Sequence, residues 1–274
     1  MIEKLKEILK YRPLIFTLVS RELKARYRGT VFGFLWSFLN PLLLLGVYSV
    51  VFGVILPGSS GRIEGIELKG IDYAIFLFSG LLPWLWFNSS ILECANVLFV
   101  HGNLIKKIQF PIEVLPIMVV FTNLINFIFG VPILILLILL LGKFVTLSWW
   151  VFFFPVAILV QFVFVMGLSF LVSALTVHFR DLKDILANVL TLWFFATPII
   201  YPFLAPQIQQ HKALVTALTL NPMTHIIEAY HYTFIFGQLP HWKKLPVTFA
   251  VGLLCFYLGY LIFDKLRDTF VEEV

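Results

Sequence analysis

The chain has 274 residues, of which 60% are hydrophobic, 17% aromatic and only 13% charged, with a net charge of +5. Soluble domains carry about 25% charged residues, and a mean hydropathy of +0.96 leaves too little polar surface to cover a water-soluble fold. The composition excludes a soluble globular enzyme and makes the bilayer the natural solvent, and the positive charges gather by loop, which points to membrane topology rather than nucleic acid.

In chain order, residues 1–33 are basic and partly amphipathic. Leu14, Ile15, Leu18, Val19 and Leu23 recur at helical spacing, with Arg21, Lys24, Arg26 and Arg28 around them. The pattern predicts a helix in the interface plane, its basic side towards anionic head groups. No short apolar core followed by a small-residue cleavage site marks it as a signal peptide. Crossing the hydrocarbon takes about 20 apolar residues, and the runs that follow predict six transmembrane helices near 34–56, 73–95, 114–141, 149–176, 183–204 and 246–263. The fold class is therefore all-α, with one polytopic membrane domain over 34–274. Pro116, Gly130 and Pro132 predict that the third run kinks or begins at the interface.

Residues 205–245 are long for a loop and not hydrophilic. Asn221-Pro222 is a helix start, with Asn as the cap and Pro in the first helical position. A second short helical pattern runs from Ile208 to Leu220. Two readings stand: half-helices that re-enter the outer leaflet, or amphipathic helices lying on the outer surface.

Basic residues set the orientation. Lys4, Lys6, Lys10, Arg12, Arg21, Lys24, Arg26, Arg28, Lys106, Lys107, Arg180, Lys183, Lys265 and Arg267 fall on one side, fourteen in all; Arg62, Lys69, Lys143, Lys212, Lys243 and Lys244 fall on the other. This asymmetry places both termini in the cytoplasm, as an even number of spans requires.

Catalytic signatures are missing. Gly142-Lys143 runs into Phe144, so no phosphate loop forms, and no H-E-x-x-H occurs. The six histidines never pair with cysteine or carboxylate at ligand spacing, and Cys94 and Cys255 read as free thiols buried as small hydrophobes. No chain of acidic residues crosses the membrane centre, as an ion-coupled transporter often needs; Glu93 and Glu113 fall near span ends, where solvent reaches them. The chain reads as a transport subunit rather than an enzyme, binding no metal or cofactor and powered by a partner. The other classes weighed are an ion-coupled transporter or channel and a membrane-embedded glycosyltransferase, the latter needing a metal or paired-carboxylate site.

The second cytoplasmic loop, 96–113, carries His101-Gly102-Asn103-Leu104-Ile105-Lys106-Lys107-Ile108-Gln109-Phe110-Pro111. Leu104, Ile105 and Ile108 share a helical face before the proline stop. Such a helix suits a groove on another protein; a plain positive-inside loop accounts for the same residues. Aromatic residues recur along the second span (Tyr73, Phe76, Trp84, Phe87) and in the fifth (Trp193, Phe194, Tyr201), with Trp84 and Trp193 near mid-depth. A flat aromatic face suits the C–H face of a sugar. Trp84, Phe87, Trp193, Phe194 and Tyr201, with Tyr48 of the first span, are the candidate substrate path. Simple packing or lipid contact is the alternative.

Four segments carry a resemblance: Arg26-Tyr27-Arg28-Gly29-Thr30-Val31-Phe32-Gly33-Phe34-Leu35-Trp36 leading to Asn40-Pro41; Asn103-Leu104-Ile105-Lys106-Lys107 with Phe110-Pro111; Arg180-Asp181-Leu182 leading to Thr197-Pro198-Ile199-Ile200-Tyr201; and Asn221-Pro222-Met223. In this order and spacing the chain resembles the membrane subunit of the second type of ABC exporter, in the polysaccharide branch and nearest to O-antigen permeases. The resemblance implies a homodimeric pore in a bacterial inner membrane and two copies of a separate cytoplasmic ATPase, which uses the ATP and Mg. It makes Asn103, Leu104, Ile105, Lys106 and Lys107 the ATPase-coupling helix. It implies a lipid-linked polysaccharide moved outward, with residues 205–245 shaping the exit. Teichoic-acid, capsule and small lipophilic-compound permeases are the alternatives in the same family.

Overall fold

The computed structural model describes residues 10–51, 55, 62–63, 66–68, 70–107, 110–142, 148–179, 181–239 and 244–273. Among these, helix α1 runs Arg12–Tyr27 and α2 Trp36–Val50, entered through a 3-10 turn at Gly33–Leu35. A minimal antiparallel ladder, β1 (Arg62–Ile63) on β2 (Ile66–Glu67), is the one departure from an all-helical chain among the described residues. Then come α3 (Ile71–Cys94), the short α4 (Val97–Val100) and α5 (Gly102–Lys107), and α6 (Val114–Leu141). A 3-10 turn at Trp149–Phe153 leads into α7 (Phe154–His178), followed by α8 (Leu182–Phe195), α9 (Pro206–Gln209), α10 (Lys212–Leu220) and α11 (Pro222–His231). A π turn at Tyr232–Phe236 precedes α12 (Lys244–Leu266) and the terminal α13 (Phe270–Glu273).

Four of the described helices are long and apolar enough to cross a membrane: Ile71–Cys94, Val114–Leu141, Trp149–His178 and Lys244–Thr269. They fall on the second, third, fourth and sixth expected spans. The third is one unbroken helix. Its Pro116 lies in the first turn, where the missing N–H costs nothing, and Pro132 is carried inside the helix. The fifth expected span is shorter than 183–204: α8 stops at Phe195, just before Thr197-Pro198. The residue before a proline is pushed out of the helical region, and Thr197 turns its hydroxyl back to the Trp193 carbonyl at 2.8 Å. The end of the first expected span lies outside the described residues.

Two small-residue contacts set the packing. α7 and α12 cross so closely that a side-chain carbon on Gly167 would strike the backbone of Phe256, and one on Gly259 would strike the Gly167 carbonyl. Close backbone approach through glycine is the usual means of association where no hydrophobic effect drives helices together. Around this pair, α3 forms the centre, packing on α2, α6, α7 and α11. Inside it, Gln161 of α7 donates to the Pro83 carbonyl at 2.7 Å, a buried interhelical hydrogen bond. Cys94 is buried, but Cys255 is half-buried on α12, so only the first thiol is packed as expected; both are free.

The two short helical patterns before the last span have different fates. α10 is largely exposed, whereas α11 is buried against α3, α7 and α12, with Met223, Ile226, Ile227 and Tyr230 sealed from solvent. Asn221 caps α11 as expected, accepting from the Met223 N–H at 3.0 Å.

Candidate functional site

At the end of the molecule that carries the basic segment, α1 lies on α6 with Leu14, Ile15, Leu18, Val19, Glu22 and Leu23 inward. Arg21, Lys24 and Arg28 are exposed on the other side; Arg26 is not, because it falls one turn beyond Glu22 on the inner face. Its Nη2 donates to Glu93 Oε2 at 2.8 Å and its Nη1 to Asn123 Oδ1 at 3.2 Å, while Asn123 Nδ2 donates to the same Glu93 oxygen at 2.9 Å. Tyr27 donates to Asn126 Oδ1 at 3.2 Å. The solvent-reached Glu93 expected from sequence is a member of this triad. Glu113 departs further: it is 5% exposed and accepts from Arg267 Nη1 at 2.9 Å. Nothing in the spacing of the sequence joins residues 154 positions apart, so these partners were out of reach of pattern reading.

Between these two acids the chain forms α4 and α5. α4 packs on α3, α6 and α7. On α5, which α13 contacts, Asn103 and Lys106 are exposed, Leu104 is half-buried and Ile105 is buried; the side chain of Lys107 and residues 108–109 lie outside the described residues. Leu104 and Ile105 therefore do not present one common outer face; the outward residues are Asn103, Lys106 and, on α4, Val100, which is 66% exposed. His101 is shifted down from its ordinary value by burial, against the pull of nearby Glu22.

Further along α3, four of the aromatic candidates form one cluster between α3 and α8. Trp84 meets Phe87 at 5.2 Å and Phe194 at 5.6 Å, and Phe87 meets Trp193 edge-on at 5.2 Å. Trp84, Phe87 and Phe194 are buried within the chain. Trp193 and Tyr201 instead border an open cavity of about 620 Å³ with Phe195, Gln207, Ile208 and Leu218. The side chain of Tyr48 lies outside the described residues. Asn221 ties this region together. Its Oδ1 accepts from Trp193 Nε1 at 2.9 Å, and its Nδ2 donates to the Ala196 carbonyl and Thr197 Oγ1, each at 3.0 Å. The capping signal was visible in sequence; the reach back to the end of α8 was not. A second cleft of about 720 Å³ opens between α2, α3 and α6, bordered by Arg26, Asn40, Trp86 and Asn126. No group of three or more His, Cys, Asp or Glu able to hold a metal ion occurs among the described residues.

Known proteins resemble this sequence over its full length. The chain is 39% identical over 274 residues, covering 100% of both sequences, to a Myxococcus xanthus protein named O-antigen export system permease protein RfbA. A Klebsiella pneumoniae protein of the same name is 30% identical over 94% of each chain. The Escherichia coli polysialic acid transport protein KpsM is 21% identical over 93% of this chain and 94% of its own length. The family model described as ABC-2 type transporter matches residues 13–235, and the chain belongs to that family of membrane proteins.

Proposed function

We propose that this chain is the permease subunit of an ATP-driven exporter that moves a lipid-linked polysaccharide of the O-antigen type outward across a bacterial inner membrane. The observation that carries the reading is the full-length, 39% likeness to a protein named an O-antigen export permease. Two copies of the chain form the pore, and two copies of a cytoplasmic ATPase supply ATP and Mg chemistry that this chain does not perform. A second copy is supported by α8, which buries only Leu190 and Phe194 in its own chain while leaving Asn188 and Thr191 exposed. Capsule polysaccharide is the second reading, favoured by the weaker likeness to the polysialic acid transporter.

The topology proposed has six spans, with both termini cytoplasmic and residues 1–33 as an interface segment. α8 has 14 residues, or about 21 Å at 1.5 Å per residue, short of about 30 Å of hydrocarbon. After α8 the crossing is completed by irregular backbone in which Ile199, Ile200 and Phe203 are buried, the condition under which such backbone is tolerated at membrane depth. α11 re-enters from the outer side, and α10 lies across the exit. Trp193 and Tyr201 offer the moving polymer an uncharged aromatic wall, with Trp84 and Phe87 behind them as support.

The docking surface for the ATPase is Val100, Asn103, Leu104 and Lys106. Leu104→Asp sets a carboxylate against an apolar groove and abolishes copurification with the ATPase, while the chain remains inserted. Lys106→Ala is mild, since a rim charge contributes little. Ile105→Asp instead lowers the amount of folded chain, because Ile105 is buried within it. Full copurification and export by Leu104→Asp would refute the docking role. For orientation, single cysteines at Gln210 and Asn103, without Cys94 and Cys255, are expected to react with an impermeant thiol reagent from opposite sides.

A further inference from the structure

The loop that carries α5 is rooted in two helices, and each root holds an acid. Glu93 lies at the end of α3 and Glu113 at the start of α6. Each is gripped by an arginine from a different end of the chain. Arg26 closes α1, and its bond to Glu93 is completed into a triangle by Asn123 of α6. Arg267 follows α12 and bonds Glu113 at 2.9 Å. The second grip continues: Phe270, fully buried, packs on Phe263 at 5.2 Å, and α13 then touches α5 itself. A surface ion pair would warrant little attention. Glu113 is 5% exposed, and a carboxylate so buried persists charged only with a partner.

We propose that Arg26 and Arg267 are positioning residues that clamp the two roots of loop 96–113, so that displacement of α5 moves the inner ends of α3 and α6 instead of bending the loop. The inference rests on reading α5 as the ATPase contact. Two short helices on free roots would absorb a push by turning. Glu93 is bonded to α1 and α6, and Glu113 to the end of α12, so both root residues are tied to helices outside the loop. Force applied at Asn103 and Lys106 then passes into α3, whose Trp84 and Phe87 belong to the aromatic cluster.

The test uses the complete complex of permease and ATPase in proteoliposomes. Arg267→Gln, Glu113→Gln and Arg26→Gln are compared with the reversed pair Glu113→Arg with Arg267→Glu. Three quantities are read: copurification of the ATPase, ATP hydrolysis, and polymer exported per ATP. The single variants are expected to keep the complex and its hydrolysis while export per ATP falls about five- to tenfold, the range of an ordinary coupling free energy. The reversed pair recovers most of the loss. Unchanged export per ATP in all three single variants overturns the proposal. So does loss of the chain from the membrane in both Arg267→Gln and Arg267→Lys, which assigns the pair to folding. Failure of the underlying reading is separate: it shows as normal assembly of Leu104→Asp with both clamps intact.

Discussion

The least apolar of the four long helices is the most enclosed, and the most apolar leaves most of its most hydrophobic stretch bare. The second span, Ile71–Cys94, has a mean hydropathy of 1.5 in its best window and 78% of that window is buried inside the chain; Val114–Leu141 reaches 3.0 with 28% buried. In water the order would be reversed, because apolar surface drives burial. Here lipid tails are as apolar as leucine, so apolarity marks the surface that faces them, and the interior goes to helices that can hydrogen-bond and approach closely. The second span carries Ser79, Gly80, Pro83 and Ser90, all buried; the third exposes Leu136, Leu139, Leu140 and Leu141.

The sharpest way to break this contrast is to replace the small residues that allow approach. Gly259→Leu and Gly167→Leu each put a side chain where the partner's backbone lies, and neither helix can yield without separating. Each is expected to abolish accumulation of folded chain, read as the monodisperse fraction after detergent extraction. Gly46→Leu on α2 meets nothing within 4 Å and should leave that fraction unchanged. Equal behaviour of the three variants would show that the α7–α12 crossing is not close-packed.

Next in size is the loss of a large side chain. Trp86 is buried in the second span, stacked on Phe127 at 5.3 Å and donating to the Val120 carbonyl at 3.3 Å. Trp86→Ala is expected to destabilise by about 3 kcal/mol or more, the usual cost of truncating a buried aromatic. Leu140→Ala, on a residue 70% exposed, should change stability by about 0.5 kcal/mol at most, as surface substitutions do. Comparable shifts in reversible unfolding from detergent micelles would show that the 136–141 end of α6 is packed by protein after all.

The same contrast explains what the sequence made legible. Long apolar runs register as spans whether they face lipid or protein, so four helices lie where the runs predict them. Capping chemistry is local, which is why Asn221-Pro222 reads correctly as a start. The early stop of α8 was signalled by Thr197-Pro198, but the apolar Ile199-Ile200 beyond it continued the run and masked the break. Periodicity predicted that α1 is amphipathic, yet charge alone could not tell that Arg26 turns inward, because Glu93 and Asn123 are distant in sequence. Aromatic spacing brought Trp84, Phe87, Trp193 and Phe194 to one cluster but could not separate the buried rings from those at the cavity edge.

A smaller effect is expected inside the bilayer from Gln161. Its bond to the Pro83 carbonyl joins the second and fourth spans. Interhelical hydrogen bonds in membranes average about 0.6 kcal/mol, because the separated helices also find partners. Gln161→Leu should therefore lose about that much, far less than the glycine variants, and Gln161→Ala more because it also leaves a cavity. A loss from Gln161→Leu as large as that of Trp86→Ala would mean that the interior is held mainly by polar bonds rather than by fit.

The smallest effect lies in the loop before α5, where burial has its ordinary aqueous consequence. His101 precedes α5 and its pKa is lowered from 6.5, first by burial and then by Arg21, with Glu22 opposing. The folded chain thus holds the proton less readily than the unfolded chain. Stability from the neutral ring is fully present above pH 6.5 and declines as pH falls below that value towards the folded pKa. Between pH 7.5 and 5.5 the purified protein is expected to lose slightly more thermal stability than His101→Gln, which carries no titrating group there. Removing the opposing acid with Glu22→Gln should enlarge the loss, since protonation of His101 then goes uncompensated. If the native chain and His101→Gln lose the same amount, the ring is solvated, and the loop is not packed at the residue that leads into α5. A larger loss in Glu22→Gln that disappears on adding His101→Gln would assign the whole acid sensitivity of this edge to the one histidine.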